Sequence, residues 1–271
     1  MAFSADCESN DSAPFLKPLL GLSLKSMHKT VTADTAFQRV EVWKSDRQVE
    51  FRVAGAIHAW WHQDKFLTGL AWDNIAASCL LHPGGPPTSV LMLGLAGGTS
   101  FRALRHLLPD VALTAVDIDP GIVALAREHM GLGEIEAGIH LADALAWLER
   151  NKERFDVVID DVYLAGKTDV FRPQHWDDHY LGLLKRAVSP GGLLAANLVT
   201  GPGHRTVQSH ARRVLKGAFP VVRSVTTPMS LNETLVAGES VRPGSALRAW
   251  TSHWLQPSDR KFWEKLRVRK L

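Results

Sequence analysis

The sequence predicts an α/β protein, a doubly wound and mainly parallel sheet preceded by a small antiparallel β domain. Three observations carry that expectation. From Ser89 onward, short apolar runs alternate with helix-length amphipathic stretches, the rhythm of parallel strands joined by crossover helices. Before it, Gln38 to Trp43 and Val49 to Val53 alternate polar and apolar residues about the turn Lys44-Ser45-Asp46-Arg47, as a hairpin does. Between the first apolar run and the helix that follows it stands Gly94-Leu95-Ala96-Gly97-Gly98-Thr99, a glycine-rich strand-to-helix turn.

The elements follow in order. Residues 1–30 are rich in Ser, Asp, Asn and Pro without periodicity and read as a flexible arm. The hairpin and a third strand, Ala56 to Trp60, form the small sheet, and Lys65 to Leu81 reads as a linking helix that His82-Pro83-Gly84-Gly85-Pro86-Pro87 ends. Strands are then expected at Val90–Leu93, Ala112–Val116, Ile139–Leu141, Phe155–Asp160, Leu193–Leu198, Val221–Thr226 and Glu233–Ala237. Helices fall between them, at Phe101–Leu108, Pro120–His129, Ala144–Asn151, Asp177–Val188 and Arg205–Phe219. The chain divides into the arm (1–30), the β-hairpin domain with its linking helix (31–82), the doubly wound domain (83–240) and a C-terminal basic helical segment (241–271).

The 271 residues carry 31 Lys+Arg against 28 Asp+Glu, with 45% hydrophobic and 22% charged residues, which excludes a disordered or fibrous chain. The net charge of +3 is local. Arg260, Lys261, Lys265, Arg267, Arg269 and Lys270 against Glu264 give +5 in one short stretch, leaving −2 for the rest. That stretch reads as an amphipathic helix with Phe262, Trp263 and Leu266 inward; a phosphate-binding tail is the sharper alternative. A general nucleic-acid binder is not expected. No apolar run reaches the roughly 18 residues of a membrane span, the first residues do not read as a signal peptide, and Cys7 and Cys79 make no disulfide framework. The expected compartment is the cytoplasm.

The glycine-rich turn lets backbone approach a ligand and offers the free N–H groups of a helix start. Asp117 closes the second strand, where a carboxylate can accept ribose hydroxyls, and Asp143 closes the third, where it can face an adenine edge. Acids at these two strand ends suit an adenosine with no phosphate to hold; the alternative is a packing turn with two unrelated surface acids.

Val90 to Thr99, then Leu113-Thr114-Ala115-Val116-Asp117-Ile118-Asp119-Pro120, Phe155-Asp156-Val157-Val158-Ile159-Asp160-Asp161 and Ser189-Pro190-Gly191-Gly192 together resemble the spermidine synthase (polyamine aminopropyltransferase) superfamily, in its divergent bacterial branch. The resemblance covers about residues 37–240. It implies a class I methyltransferase-type Rossmann fold that binds S-adenosylmethionine, its decarboxylated form or the methylthioadenosine product. Gly94, Ala96 and Gly97 would then lie against the amino-acid or aminopropyl part, Asp117 and Ile118 beside the ribose, Asp143 and Ala144 at the adenine, and Asp160 beside the cofactor. Asp161 would take the place of the catalytic aspartate, orienting the acceptor and accepting its proton, with Tyr163 lining the acceptor pocket. The family habit of dimerising makes a homodimer the expectation.

The sequence also departs from the family. Gly97 stands where polyamine synthases carry a loop acid, Val162-Tyr163-Leu164-Ala165 replaces a second Asp and a Pro, and Trp72 and Asn74 are the nearest counterparts of a Tyr and a Glu. A buried diamine needs carboxylates, so these changes argue for a different acceptor. Trp60, Trp72, His175 and Trp176 are the candidate acceptor-binding residues, through ring faces or as walls for a flat acceptor; core packing is the alternative for each Trp. His62, His175 and His179 have no spacing suited to a metal, and none is expected.

The function expected is a spermidine synthase-like transfer of an alkyl group from S-adenosylmethionine or its decarboxylated form to a small-molecule acceptor. The alternatives are an S-adenosylmethionine-dependent methyltransferase acting on an aromatic or apolar acceptor, and a non-catalytic nucleoside-binding protein. An NAD-dependent oxidoreductase fits poorly, because Ala96 and Thr99 break the GxGxxG register.

Overall fold

The computed structural model describes residues 27–166, 170–201 and 203–271. Its first unit is a four-stranded antiparallel sheet, β1 (His28–Asp34), β2 (Arg39–Lys44), β3 (Gln48–Val53) and β4 (Ala56–His62), in that order across the sheet. Strand β1 begins inside the stretch expected to be an arm. His28 to Asp34 is exposed along most of its length but pairs with β2 from Lys44 to Arg39, so backbone bonding holds it where apolar content does not. The rest of the expected arm, 1–26, lies outside the described residues.

Helix α1 (Ala71–Cys79) is shorter than its sequence pattern. The amides of Phe66 and Leu67 donate to the Asp259 carboxylate, and those of Thr68 and Gly69 to Asp73. Gly69, at φ +77°, turns the chain into the helix start. Two buried carboxylates thus bind the N–H groups of Phe66 to Gly69 and hold this stretch in a non-helical turn.

The second unit alternates β5 (Ser89–Leu93), α2 (Thr99–Leu107), β6 (Ala112–Asp117), α3 (Pro120–His129), β7 (Gly138–Leu141), α4 (Ala144–Arg150) and β8 (Phe155–Asp160). A two-stranded hairpin, β9 (Leu164–Ala165) and β10 (Val170–Phe171), stands in the long connection that follows. Then come α5 (Asp178–Ala187), β11 (Val188–Val199), α6 (Arg205–Ala218), β12 (Val221–Thr226), β13 (Asn232–Gly238), α7 (Pro257–Glu264) and β14 (Arg267–Lys270). The main sheet runs β14-β12-β13-β11-β8-β5-β6-β7. From β7 to β11 it is parallel; β13 is antiparallel to both β11 and β12. This is the class I methyltransferase arrangement with one strand added at the far edge.

Strand alternation feeds a core on each face. Val90 and Met92 point toward α1, α2, α3 and the N-terminal sheet, while Leu91 and Leu93 point toward α4, α5 and α6. The C-terminal segment corrects its expectation in part. Trp263 and Leu266 are buried and Phe262 half-buried, as a helix with that inward face requires. The helix stops at Glu264, however, and Arg267 to Lys270 pairs with β12 from Thr226 to Arg223. Without it, β12 would expose a row of unpaired N–H and C=O groups, so a charged edge strand covers that side. Among the described residues no helix is long and apolar enough to cross a membrane.

Candidate active site

The carboxyl ends of β5, β6, β7 and β8 converge where a doubly wound sheet places its ligands. Gly94, at φ +85°, leaves β5 with its N–H on the Val116 carbonyl (2.8 Å). A Cβ there would lie 2.9 Å from the carbonyl carbon of Asp161 and closer still to its oxygen, so only glycine fits beside the end of β8. Ala96 also adopts a left-handed conformation, φ +48°. Gly97 faces elsewhere. A Cβ on it would meet Met130 Sδ at 2.6 Å and the Ala59 methyl on β4, so this glycine admits the N-terminal sheet. Thr99 completes the clamp: its hydroxyl donates to the Trp60 carbonyl (3.0 Å) and accepts the Trp60 N–H (2.9 Å).

Asp117 is turned inward more than its position suggested. One carboxylate oxygen accepts the amides of Leu95 (2.8 Å) and Ala96 (2.9 Å), and the other accepts the Asp119 amide (2.9 Å). It fixes the glycine turn, and Oδ1 accepts a single bond there. Burial raises its pKa, against those three amide donors. Ile118 is half-buried next to it. Asp143 caps α4 through Oδ1 to the Ala146 amide (2.9 Å) and keeps its other oxygen free of that bond; Ala144 behind it is buried. The buried Asp119 joins the two units, accepting the Thr35 hydroxyl at 2.6 Å while capping α3.

Asp161 follows β8 and is half-buried. Asn197 on β11 donates to its Oδ1 at 2.8 Å. Burial pushes its pKa up to about 7, opposed by the Asn197 amide and the Arg172 charge and assisted by Asp160 and Asp117. The Asn232 amide reaches Asn197 Oδ1 (3.4 Å), and the Asn74 amide reaches the Asn232 carbonyl (3.4 Å). Side-chain amides from β13 and β11 thereby form a chain ending on Asp161, and Asn74 of α1 braces it through the β13 backbone.

Asp160 has no access to solvent, and Arg172 pairs with it. The guanidinium also donates to the Asn197 carbonyl (3.2 Å) and lies over the rings of Tyr163 (5.0 Å) and Trp176 (5.5 Å). Burial opposes its charge, but Asp160 and then Tyr163 more than offset this and raise its pKa further. Asp160 is therefore held in an internal ion pair. The Tyr163 hydroxyl donates to the Asn197 carbonyl (3.2 Å) and accepts the Val199 amide (3.1 Å). It ties the loop to β11, with no bond to the Asp161 carboxylate.

Of the candidate acceptor residues, Trp60 and Trp72 share one cavity. Trp176 is buried at 2% exposure, edge-on to Tyr180 and beneath Arg172, and His175 is exposed to solvent. Trp176 thus takes its core alternative, packed against Tyr180 with the Arg172 guanidinium over its ring. Arg172 and Asn197 are the residues that sequence reading passed over. Asn197 had a signal, a lone amide within the apolar run Leu193 to Val199; the pairing of Arg172 depends on a loop return that no periodicity encodes. Among the described residues, no group of three or more His, Cys, Asp or Glu is placed to hold a metal.

Comparison with known proteins matches residues 76–236, more than half of the chain, to the spermine/spermidine synthase domain. The chain belongs to this family. A probable polyamine aminopropyl transferase of Bifidobacterium longum is 25% identical over 236 residues, 85% of this chain and 51% of its own. An eEF1A lysine and N-terminal methyltransferase homolog of Drosophila pseudoobscura is 31% identical over 154 residues, 54% of this chain and 22% of its own. The chain thus spans about half of the first relative and about a fifth of the second. A probable spermidine synthase of Corynebacterium glutamicum shares the fold with TM-score 0.66 at 16% identity, covering 89% of this chain and 90% of its own. Human methyltransferase-like protein 13, solved in complex with SAH, superposes with TM-score 0.56 at 22% identity, covering 73% and 93%. The spermine/spermidine synthase domain therefore holds the glycine turn, Asp117, Asp143, Asp161 and Asn197 within one matched segment.

Proposed function

We propose that this protein transfers an alkyl group from an S-adenosyl donor to a small-molecule nucleophile, with Asp161 as the base. The observation that carries the reading is the Asp161 carboxyl, held by Asn197 at 2.8 Å and raised to about 7 at the carboxyl end of β8. A base poised near neutrality is ionised often enough to act and basic enough to take a proton from an incoming amine or hydroxyl. The family membership and the names of the relatives support the same class of chemistry.

The site fits the donor. Oδ1 of Asp117 has one lone pair free for a ribose hydroxyl, and Asp143, half-buried, would face the adenine from just past β7. When bound, the donor supplies an electrophilic carbon attached to a sulfonium. The chain's own residues do the rest: Asp161 orients the nucleophile and takes its proton, and Asn197 fixes the carboxylate that does so.

A second reading, methyl transfer in place of aminopropyl transfer, is favoured by Gly97. Met130 and Ala59 occupy the space that a side chain on this residue would need, so no carboxylate stands in the turn to hold an aminopropyl ammonium. Incubation with S-adenosylmethionine or its decarboxylated form and a panel of amines, phenols and thiols, read by mass spectrometry, tests both. A product heavier by one aminopropyl or one methyl group supports transfer and decides between them. Failure of every S-adenosyl compound to bind in calorimetry refutes the reading.

A further inference from the structure

The basic C-terminal stretch is absorbed neither by the transfer chemistry nor by the strand it partly forms. Two of its lysines, Lys261 and Lys265, line a cavity of about 280 Å³ between the N-terminal sheet and α7. Lys65 lines it as well, from the loop before α1. Its apolar walls come from Trp60, Trp72, Phe262 and Met229. The volume lies near the lower end of small-molecule sites, roughly 300–1,000 Å³.

The charge in this cavity is one-sided. None of the three lysines forms an ion pair among the described residues, and each is more exposed than Trp60. The one carboxylate in the lining, Glu50, is already satisfied: Oε2 accepts Arg52 Nε (2.8 Å) and Nη2 (2.6 Å), and Oε1 accepts Gln48 Nε2 (2.6 Å). Asp259 lies near Lys65, but burial raises its pKa, and its two oxygens are taken by the Phe66 and Leu67 amides. Three lysines and several aromatic side chains in one lining disfavour a polyammonium ligand and favour a flat anion.

The geometry points to a binding site for a planar anion, an aromatic ring bearing a carboxylate, held by Lys65, Lys261 and Lys265 with its ring against Trp60 and Trp72. The site stands whether or not that ligand is the alkyl acceptor, so it goes beyond the transfer reading and is tested without turnover. The probes are indole-3-carboxylate, indole-3-methylamine as a cation on the same ring, and inorganic phosphate, titrated by calorimetry and tryptophan fluorescence against the full chain. The carboxylate should bind and quench, with affinity falling at least tenfold in the double variant Lys261→Gln/Lys265→Gln and at least threefold in Trp72→Leu. The amine should not bind. Both lysines carry solvent-accessible side chains, and circular dichroism confirms that the double variant is folded. No binding of the carboxylate, equal binding of the amine, phosphate binding as tight as the carboxylate, or an unchanged double variant would each overturn the proposal.

Discussion

Asn197 donates a hydrogen bond of 2.8 Å from its side-chain amide to Oδ1 of Asp161, joining the end of β11 to the end of β8. That bond favours the ionised carboxylate, against burial, which holds its pKa up at about 7. Transfer should therefore rise with pH through an inflection near 7. Asn197→Leu keeps the side-chain size, removes the donor and should move the inflection upward. The pH dependence of kcat/KM in both proteins checks this; an unmoved inflection contradicts the coupling.

The same shift has a sign in stability. The folded chain holds a proton on Asp161 between the ordinary carboxylate value of 3.8 and about 7, where the unfolded chain does not. This residue's contribution to stability is therefore most favourable below 3.8 and declines as pH rises to about 7. Asp161→Asn should flatten that part of the stability profile, measured by urea denaturation from pH 5 to 8.

Arg172 and Asp160 form a buried pair, with the arginine side chain 3% exposed and the aspartate not at all. Arg172→Met leaves a buried carboxylate unpaired and should cost about 3–5 kcal/mol, whereas the double variant Asp160→Asn/Arg172→Met should recover most of the loss. Because the Arg172 charge also lowers the Asp161 pKa, activity that remains in Arg172→Met should need a higher pH. Chemical denaturation of the single and double variants, with a pH profile of each, separates the two effects.

At the glycine turn, Gly94 and Ala96 should respond in opposite directions. Gly94→Ala places a methyl against the Asp161 carbonyl at positive φ, and should cost more than the ~1–2 kcal/mol of a left-handed alanine alone. Ala96→Gly removes such strain at φ +48°, offset by the greater freedom of an unfolded glycine, and should be neutral to about 1 kcal/mol stabilising. Thermal denaturation of the two variants decides.

What could be read in advance was whatever repeats or sits beside a repeat. The strands from β5 to β8 carry their own alternation or apolar run, and the acids Asp117, Asp143 and Asp161 stand at or just past strand ends, so position alone marked them. Strand β14 was hidden because Phe262, Trp263 and Leu266 have helical spacing and Arg267 to Lys270 is too short and charged to show a strand. Asp160 and Asp117 were legible as places but not as partners. Arg172 returns to the first through an irregular loop, and the amides of Leu95 and Ala96 converge on the second only once the turn has folded. Trp176 and Trp72 look alike in sequence; only the three-dimensional neighbours put one under Arg172 and the other in an open cavity.

The most direct test is Asp161→Asn, assayed side by side for donor binding by calorimetry and for product by mass spectrometry. The variant keeps the shape of the residue and loses the base. Turnover should fall by about 10²–10⁴, the usual contribution of general base catalysis, while the affinity for the S-adenosyl donor stays within about twofold of the parent. Turnover equal to that of the parent would contradict the assignment of Asp161 as the base.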